Sequence, residues 1–216
     1  MPVYLCLRAI AEEFVSINKK LQAAAFVLAA AFSSPLAAQD APDAGDPERG
    51  RVLADSCLGC HGIEGNMTTY PPYHVPRLGG QNANYIAKAL KGYAAGDREH
   101  DGMHAQAADL SDEDIRNIAA WFASQAAVEA NAEAAPPESG IYCVSCHGAN
   151  GVSITTEFPH LAGQHADYLH ETIRQYLEGE RSDISMNAFL NLLTDEQLDE
   201  LVQFYADQPG LTTAQR

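Results

Sequence analysis

Residues 57–61 read CLGCH, residues 143–147 read CVSCH, and after each pentapeptide the chain runs through the same stretch of sequence twice. At an offset of 83, VPRLGGQNANY at 75–85 lies over FPHLAGQHADY at 158–168, and YAAGDREHDGM at 93–103 lies over YLEGERSDISM at 176–186. Sixteen of the fifty positions from Pro76 to Gln125 are identical in the second copy without a gap, where chance would give about three at ordinary amino-acid frequencies. Such a period restricts the chain to two copies of one small unit. The two cysteine pairs are offset by 86, so the first copy holds three extra residues, in NMTTYPPYH. The copies part in AAVEANAEAAPPESG at 126–140, where two prolines and a Ser-Gly pair interrupt an Ala/Glu run. Domains are therefore expected at 39–130 and 131–216.

Each unit reads as all-α. Ser111 before DED and Thr194 before DEQ are helix N-caps, the second a capping box with Gln197. Behind them Ile115, Ile118, Ala119 and Phe122, matched by Leu198, Leu201, Val202 and Tyr205, recur at helical spacing. A middle helix is expected from about Asn82 to Tyr93 and from His165 to Tyr176, ending near Gly96 and Gly179. A shorter helix should carry each cysteine pair. Units of about 90 residues are marginal if they rely on a protein core alone.

A Cys-x-x-Cys-His run supplies two thiols for covalent attachment of haem and, one residue on, an imidazole for its iron. A four-thiolate zinc site would use the cysteines and leave each His idle. A thioredoxin-like pair needs strands, and nothing here alternates as strands do. Two haem c groups follow, attached through Cys57, Cys60, Cys143 and Cys146, with His61 and His147 as iron ligands.

Met103 and Met186 align across the repeat, whereas Met67 falls in the insertion. Both aligned methionines sit outside the apolar periodicity, in expected loops. A thioether is a soft, neutral ligand that raises a haem potential and closes the sixth coordination position to oxygen or peroxide. His104 is the alternative ligand in the first copy, although Asn187 stands in its place in the second. The histidines that do not recur, His74, His100, His160, His165 and His170, have solvated or hydrogen-bonding roles as their default; Arg77 opposite His160 argues for a surface position there.

Tyr85 with Tyr168 and Tyr93 with Tyr176 recur and either pack near the haems or serve ordinary helix packing. Arg98 and Arg181 suit bidentate contact with a haem propionate. A surface ion pair with Asp97, Glu99 or Glu180 is the other reading.

The segment Lys19–Ala38 has two lysines, a twelve-residue largely apolar run from Leu21 to Phe32 and then SSPLAA, which reads as an export signal cleaved after Ala38. The run is short of the roughly 20 residues that span a bilayer. Glu12 and Glu13 suit no signal, and a start downstream of Met1 would explain them; Cys6 would then play no part. Residues 39–216 hold 10 basic and 27 acidic side chains, a formal charge of −17. Such a field repels nucleic acid and anionic lipid, allows at most peripheral membrane association, and calls for redox partners with basic docking surfaces.

With a CxxCH helix, a P-x-L-x-G segment, a middle helix, a Met loop and a C-terminal helix in each copy, the chain resembles two tandem class I cytochrome c domains. The paired L-x-GQ and Y-x-x-G-[DE]-R elements make it similar to the dihaem cytochrome c4 family over essentially all of residues 39–216. That resemblance implies that Pro76 and Pro159 offer their carbonyls to the proximal imidazoles, and that Met103 and Met186 are sixth ligands. It further implies a periplasmic electron carrier, not an enzyme, between a membrane quinol-oxidising complex and a terminal oxidase. A cytochrome subunit of a flavoprotein dehydrogenase, such as a sulfide-oxidising one, fits the same residues. A dihaem peroxidase would need one five-coordinate haem. Residues 39–130 carry 7 basic and 14 acidic side chains and 131–216 carry 3 and 13, so charge alone predicts the lower potential for the C-terminal haem.

Overall fold

The computed structural model describes residues 44–131 and 133–216; the expected export signal, residues 1–38, and Cys6 lie outside them. Regular structure among the described residues is helical. The first copy contributes α1 (Pro47–Leu53), α2 (Leu58–His61), α3 (Ala83–Ala95), α4 (Asp101–Ala107) and α5 (Asp112–Ser124). After a 3-10 turn at Glu138–Gly140, the second contributes α6 (Ile141–His147), α7 (Ala166–Glu178), α8 (Ile184–Leu190) and α9 (Asp195–Ala206).

The middle helices begin after Asn82 and His165 and end on Gly96 and Gly179, as their glycines require. Both glycines are left-handed, at φ 82° and 85°, a conformation that ends a helix without the clash a Cβ would bring. Ser111 and Thr194 each close a capping box, with Asp114 and Gln197 as third residues. Every apolar position expected on α5 and α9 is buried. The helix expected to carry the first cysteine pair is instead split in two. Across Ala54–Cys57 the backbone N–H groups of Asp55 and Cys57 reach back three residues, to Val52 (3.4 Å) and Ala54 (2.9 Å), rather than four.

Met103 and Met186 were expected in loops and lie in α4 and α8. The side chains of His100 and Asp183 cap these helices, accepting the N–H of Met103 (3.1 Å) and of Met186 (3.2 Å). Seven residues are barely two turns, too few for an apolar period to stand out from a loop, so the caps rather than periodicity mark the helix.

In the first half α1 crosses α5 with almost no separation. A Cβ on Gly50 would stand 1.9 Å from the Asn117 carbonyl oxygen, and the Asn117 side chain accepts the Asp46 N–H at 2.7 Å. Beneath that crossing Ile86, Leu90, Ile115, Ile118, Trp121 and Phe122 form a continuous core. The corresponding core of the second half is Leu169, Leu201, Val202 and Tyr205, between α7 and α9.

Both halves belong to one compact unit. The chain end, expected within the second domain, crosses back to the first. Leu211 N–H bonds Ala162 O (2.8 Å), Thr212 exchanges two backbone bonds with Gly79 (2.9 and 3.0 Å), and Ala214 is buried in the first core. The three-residue insertion also reaches across: Tyr73 packs on Tyr168, and His74 stacks on His165 while its Nδ1 meets Asp167 at 2.7 Å.

Candidate haem centres

Each CxxCH ends a short helix, so its His is presented by the last turn. In both halves the ring Nδ1 donates to a proline carbonyl at 2.9 Å, His61 to Pro76 and His147 to Pro159. That bond fixes the tautomer and leaves Nε2 as the free lone pair. Burial pushes both imidazoles down from their usual pKa, more than the proline carbonyls raise it. Neutral imidazole is the form that binds a metal. His61 lies edge-on to Phe122 and His147 edge-on to Phe158. Neither cysteine pair is bridged by a disulfide, and burial raises the thiol pKa of Cys57 and Cys143.

The second site is assembled around a cavity of about 860 Å3 lined by Cys143, Cys146, His147, Pro159 and Met186 and walled from the first half by Pro76, a face of α3 and Arg98. That volume suits a bound cofactor, since ligand pockets run to roughly 300–1,000 Å3. In the first half Cys57 and Met103 pack against the same core. His104 is exposed and spends its Nδ1 on the Tyr93 carbonyl (2.8 Å); Asn187 makes the matching bond to Tyr176 (2.5 Å).

Arg98 and Arg181 face each other in an antiparallel bridge between the halves. Neither forms an ion pair with Asp97, Glu99 or Glu180 among the described residues; Glu180 pairs with Arg174 instead. Tyrosines surround them: the Arg98 guanidinium sits 4.7 Å from the Tyr93 ring and 5.8 Å from Tyr85, and Arg181 sits 5.8 Å from Tyr168. Burial pushes Tyr93 and Tyr176 up to about 12. At Tyr168 burial acts the same way, but the two guanidinium groups overcome it and bring the hydroxyl down. Arg98 Nε is buried with no hydrogen-bond partner among the described residues, and Arg98 and Arg181 both line the cavity. A buried cation, Arg181, and a half-buried one, Arg98, beside a cofactor-sized cavity call for anionic groups in it, so the donor set and the charges fit a haem with its carboxylates.

Three residues of the recurring sequence elements carry more than the motifs announced. His160, expected at the surface, is buried; its Nδ1 accepts the Ser153 N–H at 2.9 Å, because the loop after Pro159 is folded under the other half rather than into solvent. Gln81 and Gln164, legible only as a repeated GQ, are buried and bond across the interface.

Two small helical domains in tandem, each presenting a CxxCH beside a proline-locked histidine, define a two-domain c-type cytochrome. The family model described as cytochrome c oxidase, cbb3-type, subunit III matches the chain twice, over residues 46–122 and 137–204. Cytochrome c4 of Pseudomonas aeruginosa is 36% identical over 65% of this chain and 75% of that protein. A thiosulfate dehydrogenase electron acceptor of Thiomonas intermedia is 30% identical over 72% of this chain and 80% of its own length. Reduced cytochrome c4 from Pseudomonas stutzeri superposes with a TM-score of 0.60 at 29% identity, covering 78% of this chain and all of that one. The chain belongs to the cytochrome c4 family. It holds two haem c groups and transfers electrons rather than catalysing a reaction.

Proposed function

We propose that this is a periplasmic carrier of single electrons, exported by residues 1–38 and folded as domains 39–130 and 131–216. When bound, each haem supplies a one-electron iron couple. Cys57 and Cys60 tether one group and Cys143 and Cys146 the other. His61 and His147 bind iron through Nε2, and Met103 and Met186 close the sixth positions. Pro76 and Pro159 hold the imidazoles in one tautomer. Arg98 and Arg181 neutralise the haem carboxylates between the halves, which lets those charges lie close together out of water.

The observation that carries this reading is the duplicated 2.9 Å bond from a CxxCH histidine to a proline carbonyl. Two closed, identically held irons suit outer-sphere electron transfer. The visible and far-red spectrum of the oxidised protein tests it: the weak far-red band of methionine-ligated ferric haem is expected at both centres. Met103→Ala and Met186→Ala should each remove one half of that band and create one stoichiometric CO-binding site in the reduced protein. Stoichiometric CO binding by the unaltered protein would overturn the reading.

The acidic surface supports partners with basic docking faces, with a membrane complex as donor and a terminal oxidase as acceptor. A second reading makes the chain the electron acceptor of a dehydrogenase, and it rests on relatives described as thiosulfate dehydrogenase electron acceptors. Rapid haem reduction by a purified thiosulfate dehydrogenase plus thiosulfate, faster than by a quinol-oxidising complex, would select it.

A further inference from the structure

The two GQ elements act across the halves as well as within their own, where each Oε1 also accepts the N–H of the next residue, Asn82 (2.9 Å) or His165 (3.1 Å). Gln164 Oε1 accepts the Arg77 N–H at 2.9 Å and its Nε2 donates to Arg77 O at 3.0 Å. Gln81 mirrors this on the other half, accepting the His160 N–H at 2.8 Å and donating to His160 O at 3.0 Å. Each side chain is thus docked in two-point fashion on one backbone residue of the opposite copy. A left-handed glycine precedes each: Gly80 at φ 83° and Gly163 at φ 73°. A Cβ on Gly80 would stand 2.6 Å from Val128, so that turn admits no side chain. Both glutamines are at least 96% buried, with relative exposures of 3% and 4%.

The position of these contacts gives them consequence. The N–H of Arg77 and the carbonyl of Pro76 belong to one peptide group, and the Pro76 carbonyl accepts from His61 Nδ1. His160 and Pro159 share the other, whose carbonyl accepts from His147. In each case the order is imidazole N–H, peptide carbonyl, peptide N–H, glutamine carbonyl. Hydrogen bonds at the two ends of one amide polarise it in the same direction and strengthen each other, most of all where water is excluded.

We infer that Gln164 and Gln81 are crosswise positioning residues, each setting the electron richness of the proximal histidine in the other half, through one shared peptide group. Gln164 acts on His61 and Gln81 on His147. A stronger acceptor at Nδ1 gives the imidazole more anionic character, which favours ferric iron and lowers the potential. Each haem's potential then depends on docking of the opposite domain. This inference rests on the ligation proposed above.

The test uses the full dihaem protein with Gln164→Met and, separately, Gln81→Met, which keep the side-chain length and remove both polar ends. Each midpoint is assigned to its half by NMR contacts of the haem with the Met103 or Met186 side chain. Gln164→Met should raise the N-terminal potential alone, by about a threefold change in that redox equilibrium, or roughly 28 mV at 59 mV per decade. His61 Nδ1–H should exchange with solvent about tenfold faster as its acceptor weakens. Gln81→Met should do the same to the C-terminal haem and His147. Gln164→Asn, polar but too short to reach Arg77, should reproduce the shift if the Met variant folds poorly. A shift at the haem of the glutamine's own half, equal shifts at both, a fall, or no shift would each overturn the relay. The far-red band of the parent protein reports the ligation separately, so a failed crosswise pattern with that band intact refutes the relay and leaves the ligation standing.

Discussion

The N-terminal and C-terminal halves share helix order, caps, proline locks and glutamine clasps, yet they fill their interiors differently. In the first, α1 lies against α5 through Gly50, and the core beneath runs from Ile86 to Phe122, with Ala214 added from the far end of the chain. In the second, the segment before the cysteines is a single 3-10 turn, the apolar core is Leu169, Leu201, Val202 and Tyr205, and the large cavity is lined by that half's own CxxCH and methionine. Even the proximal histidines differ in support: His61 leans on the fully buried Phe122, and His147 on Phe158, which is 37% exposed. The same recurring motifs thus leave the second half to draw more of its apolar contact from the cofactor, and the first to draw more from protein.

Removing the tethers should expose that difference most strongly. Cys143→Ser with Cys146→Ser should lower amide protection in α7 and α9 on the order of a hundredfold more than Cys57→Ser with Cys60→Ser lowers it in α3 and α5. Equal losses in native-state hydrogen exchange would remove the distinction. Next in size are the helix crossings. Gly50→Ala drives a methyl into a backbone carbonyl and should cost about 3 kcal/mol, whereas Gly140→Ala meets the end of the Leu201 side chain at 2.8 Å and the Pro136 ring at 2.9 Å and should cost about 2. Denaturant titration followed by the fluorescence of Trp121, the chain's single tryptophan, reads the first of these directly. Where the halves are alike, so should be the effects: Ser111→Ala and Thr194→Ala should each cost about 1 kcal/mol, and a large gap between them would mean that the capping boxes are not equivalent. Smallest is the surface-charge term. The C-terminal haem should have the lower potential at low ionic strength, and the gap should narrow as salt is added; the reverse order in a spectroelectrochemical titration would show that local burial outweighs net charge.

Much of this is legible in the sequence. Gly96 and Gly179, Ser111 and Thr194, and the apolar period behind them are local signals, and each element they announced is present within a residue or two. The short helices around Met103 and Met186 were not, because their evidence is a cap supplied by His100 and Asp183, two unlike residues at equivalent positions. Arg98, Arg181, Gln81 and Gln164 announced themselves by recurring, but a repeat compares a copy with itself. That Gln81 and Gln164 clasp the backbone of the opposite copy, and that Arg98 and Arg181 meet each other across the interface, are facts of docking, which no spacing within one copy encodes. The position of His160 is hidden for the same reason: Arg77 opposite it suggests solvent, while the backbone of both residues bonds across the interface and His160 itself is buried.

The last residues of the chain carry a further meaning. Thr212 pairs with Gly79, Thr213 hydroxyl bonds Glu64, Ala214 seals the first core and Arg216 meets Asp55. The tail of the second copy is therefore a structural component of the first. A gene that doubled to give two interchangeable modules has, by this exchange, made them a single inheritance: neither copy could be excised, reshuffled or replaced by its twin without leaving the other unfinished.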